Sequence, residues 1–207
     1  MVHVVCTEIS QINEQLYRSL YSRASEDRKR RADCCTRRED ALRCLTAEAL
    51  LNHALGTSEY TVEKHPLGKP YVKDRDSFYY NISHSGSWVV IAFGDSEVGV
   101  DVELRDWDAS AEKIVRRWFS QEEQNYVLED EEKKRSRFLQ IWTGKESYLK
   151  YTGTGLRGDL KACNVLSKEQ EVRFRSWTMP DGAVITLCTT DTECTMAFAP
   201  MEQLLSI

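Results

Sequence analysis

No stretch of this 207-residue chain is rich in glycine, proline or serine, so no flexible linker is expected. No apolar run approaches the length of a membrane span, which excludes a transmembrane helix. The start, MVHVVCTEIS, lacks the charged segment and long apolar stretch of a secretory signal, and a cytoplasmic protein is expected. Cysteines number seven, an odd count, with no CxxC pair and with Cys34 and Cys35 adjacent; reduced thiols are the economical reading, and structural zinc is not expected. There is no GxSxG elbow, and Ser83 and His84, as neighbours on a strand end, point apart and make no nucleophile–base pair by themselves. A net charge of −5 argues against nucleic acid as the main partner.

What is present begins with Gly99-Val100-Asp101-Val102-Glu103. The alternation predicts a strand with Val98, Val100 and Val102 on one face and Asp101 and Glu103 on the other. Two carboxylates two residues apart repel unless a cation lies between them, and a hard divalent ion, Mg²⁺ or Mn²⁺, suits oxygen ligands. An acidic exposed edge strand is the plainer alternative. The stretch Ile141 to Lys150 predicts a helix. Phe138, Trp142, Lys145 and Leu149 share one stripe, and Glu146 and Lys150 stand one turn apart on an adjoining one. That spacing fits an ordinary ion pair, or a third metal-facing carboxylate with a lysine beside it, as phosphoryl transfer requires.

Around these motifs the chain reads as αβ throughout. A strand is expected over 2–6, a helix from a Ser10 cap to about residue 21, and further helices capped by Ser25 and Thr36. The third of these carries Ala41, Leu42, Leu45, Ala49 and Leu50 at helical spacing, and Gly56 stops it. Strands are expected over 60–64, 78–82, 87–93 and 97–103, then helices over 110–117, 120–129 and 133–151, then strands over 171–178, 183–189 and 194–199. Arg28-Lys29-Arg30-Arg31 is a cationic run that is either a solvated helix face or a phosphate site; Arg43, Lys69 and His84 are further candidate phosphate contacts.

Several pieces together resemble the Sfp-type 4′-phosphopantetheinyl transferases. GVDVE matches the family's GIDIE-like strand, and WTGKESYLK, about forty residues on, matches its W-x-x-K-E-x-x-x-K helix. Gly68-Lys69-Pro70-Tyr71 matches G-K-P, Asn81 to Ser85 match N-x-S-H-S, Phe119 to Glu123 match F-S-x-x-E, and the segment from Ser25 to Arg43 resembles the basic N-terminal helical region. The matches run in order from about residue 25 to residue 160.

The resemblance implies an α/β (α+β) fold of two pseudo-symmetric halves, 1–103 and 104–207, a cleft between them that holds the active site, and a monomer. It implies transfer of the 4′-phosphopantetheine arm of coenzyme A to a serine of an apo acyl- or peptidyl-carrier domain, with release of 3′,5′-ADP, in non-ribosomal peptide, polyketide or fatty acid pathways. Asp101, Glu103 and Glu146 would hold Mg²⁺; Glu146, directly or through a water, would be the base; Lys150 would stabilise the leaving phosphate. Arg28, Arg31 and His84, with Arg43, Lys69, Ser83 and Lys150, would bind the phosphates of coenzyme A, and Cys44 stands where the family often has a hydroxyl. The carrier would dock near Trp118, Phe119 and the 120–129 helix, where Tyr126, Val127 and Leu128 offer an apolar surface. Two other classes stay open: a Mg²⁺-dependent phosphohydrolase or nuclease, although the E-x-K of many nucleases is missing after Glu103, and a non-catalytic carrier-binding module.

Overall fold

A computed structural model describes residues 1–155, 158–161 and 163–206. The elements, in order, are β1 (Val2–Glu8), α1 (Glu14–Arg23), α2 (Glu26–Asp33), α3 (Arg38–Leu55), β2 (Val62–Lys64), β3 (Pro70–Val72), β4 (Tyr79–Ser85), β5 (Trp88–Gly94), β6 (Val98–Glu103), α4 (Ala109–Trp118), α5 (Gln121–Leu128), α6 (Lys134–Thr152), β7 (Arg173–Thr178), β8 (Val184–Thr189), β9 (Cys194–Phe198) and α7 (Met201–Leu204). The mixed α+β class expected from the sequence is what the chain adopts.

Two sheets form the centre. One has the order β4-β5-β1-β9, antiparallel except for the parallel β1–β9 pair; the other is antiparallel with the order β6-β8-β7. Alternation divides each strand between two cores. On the first sheet, Val5, Val89 and Ile91 pack against α1–α3, whereas Val4, Cys6, Val90 and Ala92 face Val98, Val100, Val102, Ile185 and Leu187 of the second sheet. Val184, from the far face of β8, joins α4, α5 and α6 around Phe138. The layers therefore run helices, sheet, sheet, helices. Strands cross the sequence midpoint in both directions: β9 completes the sheet built from β1, β4 and β5, and β6 pairs with β8.

Local rules account for most boundaries. Ser25 caps α2 by accepting from Arg28 N, as expected, and Gly56 ends α3 in the left-handed conformation. Asn13, not Ser10, caps α1, because its side chain accepts from Leu16 N while Ser10 donates to Glu8. Arg37 stands at the N-cap of α3 in place of Thr36, with no side-chain cap bond. Ser120 and Glu123 form a reciprocal capping box on α5. The three-residue β3 and the four-residue α7 were not anticipated, since elements this short carry too little periodicity to be seen.

One glycine sets the approach of the two parts that matter most. A Cβ at Gly99 would lie 2.0 Å from Ser147 O and 2.4 Å from Tyr151 N. Only a residue without a side chain lets α6 lie this close to β6. That contact sets the 146–150 turn of α6 over the polar face of β6.

Candidate active site

The polar face of β6 and the facing turn of α6 form one open recess, lined by Ser83, His84, Asp101, Glu103, Trp142, Glu146 and Lys150. The strand and helix motifs thus supply three carboxylates and a lysine to a single place. Val98, Val100 and Val102 are buried on the opposite face, as the alternation required. Asp101 is 7% exposed, so the strand face is not a solvated acidic edge.

The ion pair in the recess is not the one that helix spacing suggests. Lys150 Nζ bonds Asp101 Oδ1 at 2.7 Å and donates to Ser83 Oγ at 2.7 Å, across the gap between helix and strands. Ser83 Oγ also donates to Asp101 Oδ1 (2.8 Å), and Ser85 Oγ donates to Glu103 Oε1 (2.6 Å). Burial pushes the Asp101 carboxyl above its ordinary pKa, against the lowering effects of Lys150 and Ser83, with Glu103 adding repulsion. Glu146 is raised as well, first by burial and then by Asp101 and Glu103, with Lys150 opposing. His84 is exposed, yet the protein around it partly desolvates the ring. That desolvation, with the charges of Arg43 and Lys150, lowers its pKa below the usual histidine value.

No three histidine, cysteine, aspartate or glutamate side chains among the described residues are grouped tightly enough to hold a metal ion as they stand. The donor set still suits a hard divalent cation. Asp101, Glu103 and Glu146 line one recess, and their mutual repulsion is a penalty that a cation among them would relieve.

The candidate phosphate contacts are spread more widely. Arg43 donates through Nε and Nη2 to Gly86 O (2.9 and 2.6 Å) and through Nη1 to Asp40 (2.6 Å), at the β4–β5 turn beside the recess. Arg28 lies half-buried against Cys44 Sγ (3.8 Å) and Glu48 (4.0 Å). Arg31 is exposed and pairs with Asp27 at 2.8 Å. Lys69 does not line this recess; it is held by Glu97 and by the carbonyls of Val98 and Tyr151, and burial lowers its pKa. The structure thus gathers Ser83, His84, Asp101, Glu103, Glu146 and Lys150, keeps Arg43 close by, and leaves Arg28, Arg31 and Lys69 outside.

The apolar residues expected to form a docking surface on α5 include core residues. Phe119 and Val127 are buried, Trp118, Tyr126 and Leu128 pack against the same cluster, and Tyr126 Oη donates to Gln140. Amphipathic spacing alone does not say which face of a short helix is covered.

Two groups escaped the sequence reading. Lys145 and Glu123 form an ion pair at 2.9 Å with neither side chain exposed. Lys145 also donates to the carbonyls of Leu160 and Cys163, and Glu123 accepts from Ser120 N and Val165 N. The signal was available, since both residues sit inside quoted motifs, FSQEE and WTGKE. The second group is Asn81 and Ser85, which flank Ser83 on β4.

Comparison with known proteins bears on the same region. A family model described as the 4′-phosphopantetheinyl transferase superfamily matches residues 97–194, from the start of β6 to the start of β9. The chain is 34% identical over 151 residues to 4′-phosphopantetheinyl transferase psf-1 of Bacillus pumilus, covering 69% of this chain and 62% of that protein. It is 33% identical over 136 residues to 4′-phosphopantetheinyl transferase Sfp of Bacillus subtilis (strain 168), covering 62% and 59%. It is 30% identical over 154 residues to 4′-phosphopantetheinyl transferase ffp of Bacillus subtilis, covering 70% and 67%. The chain therefore spans about three fifths of the length of psf-1 and Sfp.

Proposed function

Because the chain belongs to the 4′-phosphopantetheinyl transferase superfamily, we propose that it moves the 4′-phosphopantetheine arm of coenzyme A onto a serine of an apo acyl- or peptidyl-carrier domain. The observation that carries this reading is the single recess in which Asp101, Glu103, Glu146 and Lys150 meet. In the reaction the carrier serine Oγ forms a bond to the β-phosphorus of coenzyme A. The bond from that phosphorus to the bridging oxygen breaks, and 3′,5′-ADP leaves with the electron pair. Asp101, Glu103 and Glu146 would hold Mg²⁺ or Mn²⁺, which supplies charge neutralisation for the pyrophosphate.

Glu146 takes the serine proton. Burial and the neighbouring carboxylates raise its pKa; with a cation bound that rise is partly offset, and the proton would pass to it directly or through a water. Lys150 would stabilise the charge that develops on the leaving phosphate, exchanging its bond to Asp101 for one to the substrate. His84, and Arg43 once it loosens its bonds to Asp40 or Gly86 O, would receive the 3′-phosphate on the β4–β5 side of the recess. Arg28 and Arg31 from α2 and Lys69 would reach the phosphates only after giving up their present partners. Residues 1–103 would then bring the phosphate contacts and two metal ligands, and residues 104–207 the third ligand, the lysine and the carrier surface. A monomer working in the cytoplasm suffices for this division; no helix among the described residues is long and apolar enough to cross a membrane.

The test is incubation of the protein with coenzyme A, Mg²⁺ and an apo-carrier domain, followed by intact mass measurement of the carrier. A gain of one phosphopantetheine that Asp101→Ala abolishes is expected. Hydrolysis of coenzyme A with an unmodified carrier would favour a phosphohydrolase, and carrier binding without modification would favour a non-catalytic module.

A further inference from the structure

β6 ends its sheet, yet three successive amides along its open edge, of Val100, Val102 and Leu104 just past its end, are paired. Val100 N donates to Asn81 Oδ1 (2.9 Å), Val102 N to Ser83 Oγ (3.4 Å) and Leu104 N to Ser85 Oγ (3.1 Å). Every second residue of β4 meets every second amide of β6, so the two-residue period of both strands is matched. Side-chain oxygens stand where the carbonyls of a neighbouring strand would be, which is how these buried amides avoid the cost of going unpaired. The N-x-S-H-S segment is thus a comb that joins the two sheets.

The two serines also turn outward to the carboxylates. A hydroxyl has one proton to donate and two lone pairs to accept with. Ser83 gives its proton to Asp101 Oδ1 and accepts from Val102 N and Lys150 Nζ. Ser85 gives its proton to Glu103 Oε1 and accepts from Leu104 N; Leu104 N also donates to the same Oε1 at 2.9 Å. Among the described residues these bonds fall on one oxygen of each carboxylate and leave the second oxygen of each to a ligand.

We propose that Ser85 is a positioning residue that holds the Glu103 carboxylate for cation binding by tying it to the backbone edge of β6, as Ser83 does for Asp101. The inference rests on the reading of this recess as a divalent-cation centre. Glu103 has three side-chain torsions to fix, and an oriented carboxylate binds a cation better than a mobile one because its ordering is already done.

The experiment measures Mn²⁺ binding to the full chain by the electron paramagnetic resonance signal of free Mn²⁺, with thermal unfolding alongside. Ser85→Ala is expected to weaken Mn²⁺ binding by about tenfold. Ser85→Cys, close in size but a weak donor, is expected to weaken it too, and it serves where the alanine variant does not fold. Ser85→Thr, which keeps the hydroxyl, is expected to bind as wild type. Asn81→Ala removes a tooth of the comb that touches no carboxylate; it is expected to lower the unfolding temperature and leave Mn²⁺ binding unchanged. Unaltered binding in both Ser85→Ala and Ser85→Cys would overturn the inference, as would equal weakening by Asn81→Ala. Wild-type protein that binds no Mn²⁺ would overturn the cation centre itself and this inference with it, an outcome separable from the others.

Discussion

Two lysines on α6, five residues apart, meet opposite fates. Lys145 is sealed from solvent with Glu123 and two backbone carbonyls, and every proton on its ammonium has a protein partner. Lys150 keeps 27% of its side chain exposed and holds Asp101 and Ser83 at the floor of an open recess. The same residue type on the same helix is locked in one case and available in the other. Burial and partner number make the difference: a sealed ion pair has no cheap way to open, whereas a recessed one can exchange protein oxygen for ligand oxygen. Lys145 ties α6 to α5 and to the carbonyls of Leu160 and Cys163; Lys150 serves the recess.

The hardest way to break this contrast is to remove Glu123. Glu123→Ala strands a charge at a fully buried site and is expected to cost about 3–5 kcal/mol in urea unfolding. Cys163, whose thiol burial pushes up to about 12 and whose carbonyl Lys145 holds, should then become open to thiol reagents under native conditions. A wild-type unfolding midpoint in Glu123→Ala would remove the sealed pair from the account of stability.

Lys150→Ala is the mirror case. The lysine keeps access to water although Asp101 is buried, so stability should fall by less than in Glu123→Ala, by about 1–2 kcal/mol. On the proposed function, carrier modification should nevertheless slow by about 10²–10³-fold in kcat, because the lysine would act where charge develops on the leaving phosphate. Loss of folding without a selective loss of kcat would place Lys150 with Lys145 rather than against it.

Gly99→Ala probes the distance that brings both lysines' helix to β6. The new methyl meets the α6 backbone and should cost about 1–3 kcal/mol in thermal unfolding. It should also lower transfer by displacing Glu146 and Lys150 together. Full activity in this variant would mean that the approach of helix to strand does not set the site.

The smallest effect sharpens the comparison on the open side. His84 has a lowered folded-state pKa, so the native state binds fewer protons than the unfolded chain near the ordinary value of 6.5. Its contribution to stability is complete above that value and is lost as pH falls towards the folded-state pKa. His84→Gln should flatten this acid limb of a urea-midpoint profile below about pH 6.5. Coincident profiles for the two proteins would show that His84 titrates alike in both states. A phosphate placed between His84 and Arg43 should bind more tightly as pH falls, because it favours the protonated ring.

Much of this was visible before folding. The alternation in 98–103 gave the buried and the polar face of β6, and the stripe in 138–149 gave the buried face of α6, because both depend on period alone. Ser25 and Gly56 announced their helix ends through side-chain chemistry that acts within a few residues. Ser10 and Thr36 misled for the same reason. Each is a competent cap in isolation, and the choice of Asn13 and Arg37 depended on where β1 and α2 release the chain. Glu146 and Lys150 suggested an i,i+4 pair, yet Lys150 chose Asp101, a partner on another element that spacing along a helix cannot reveal. The apolar residues of α5 gave no sign of whether they faced solvent or Phe138.

By itself, then, the sequence determined the residue types and their local directions: carboxylates on one face of a strand, a glutamate and a lysine one turn apart on a helix, serines at every second place of another strand. Periodicity and capping are short-range and need no knowledge of the rest of the chain. The tertiary structure decided which of these groups meet. It set Lys150 on Asp101, sealed Lys145 with Glu123, committed Arg43 to Gly86 O and placed Lys69 outside the recess. Those outcomes depend on the distance between α6 and β6, and on the register of β4 against the free edge of β6. Both are fixed by packing between residues far apart in the chain, which no local pattern contains.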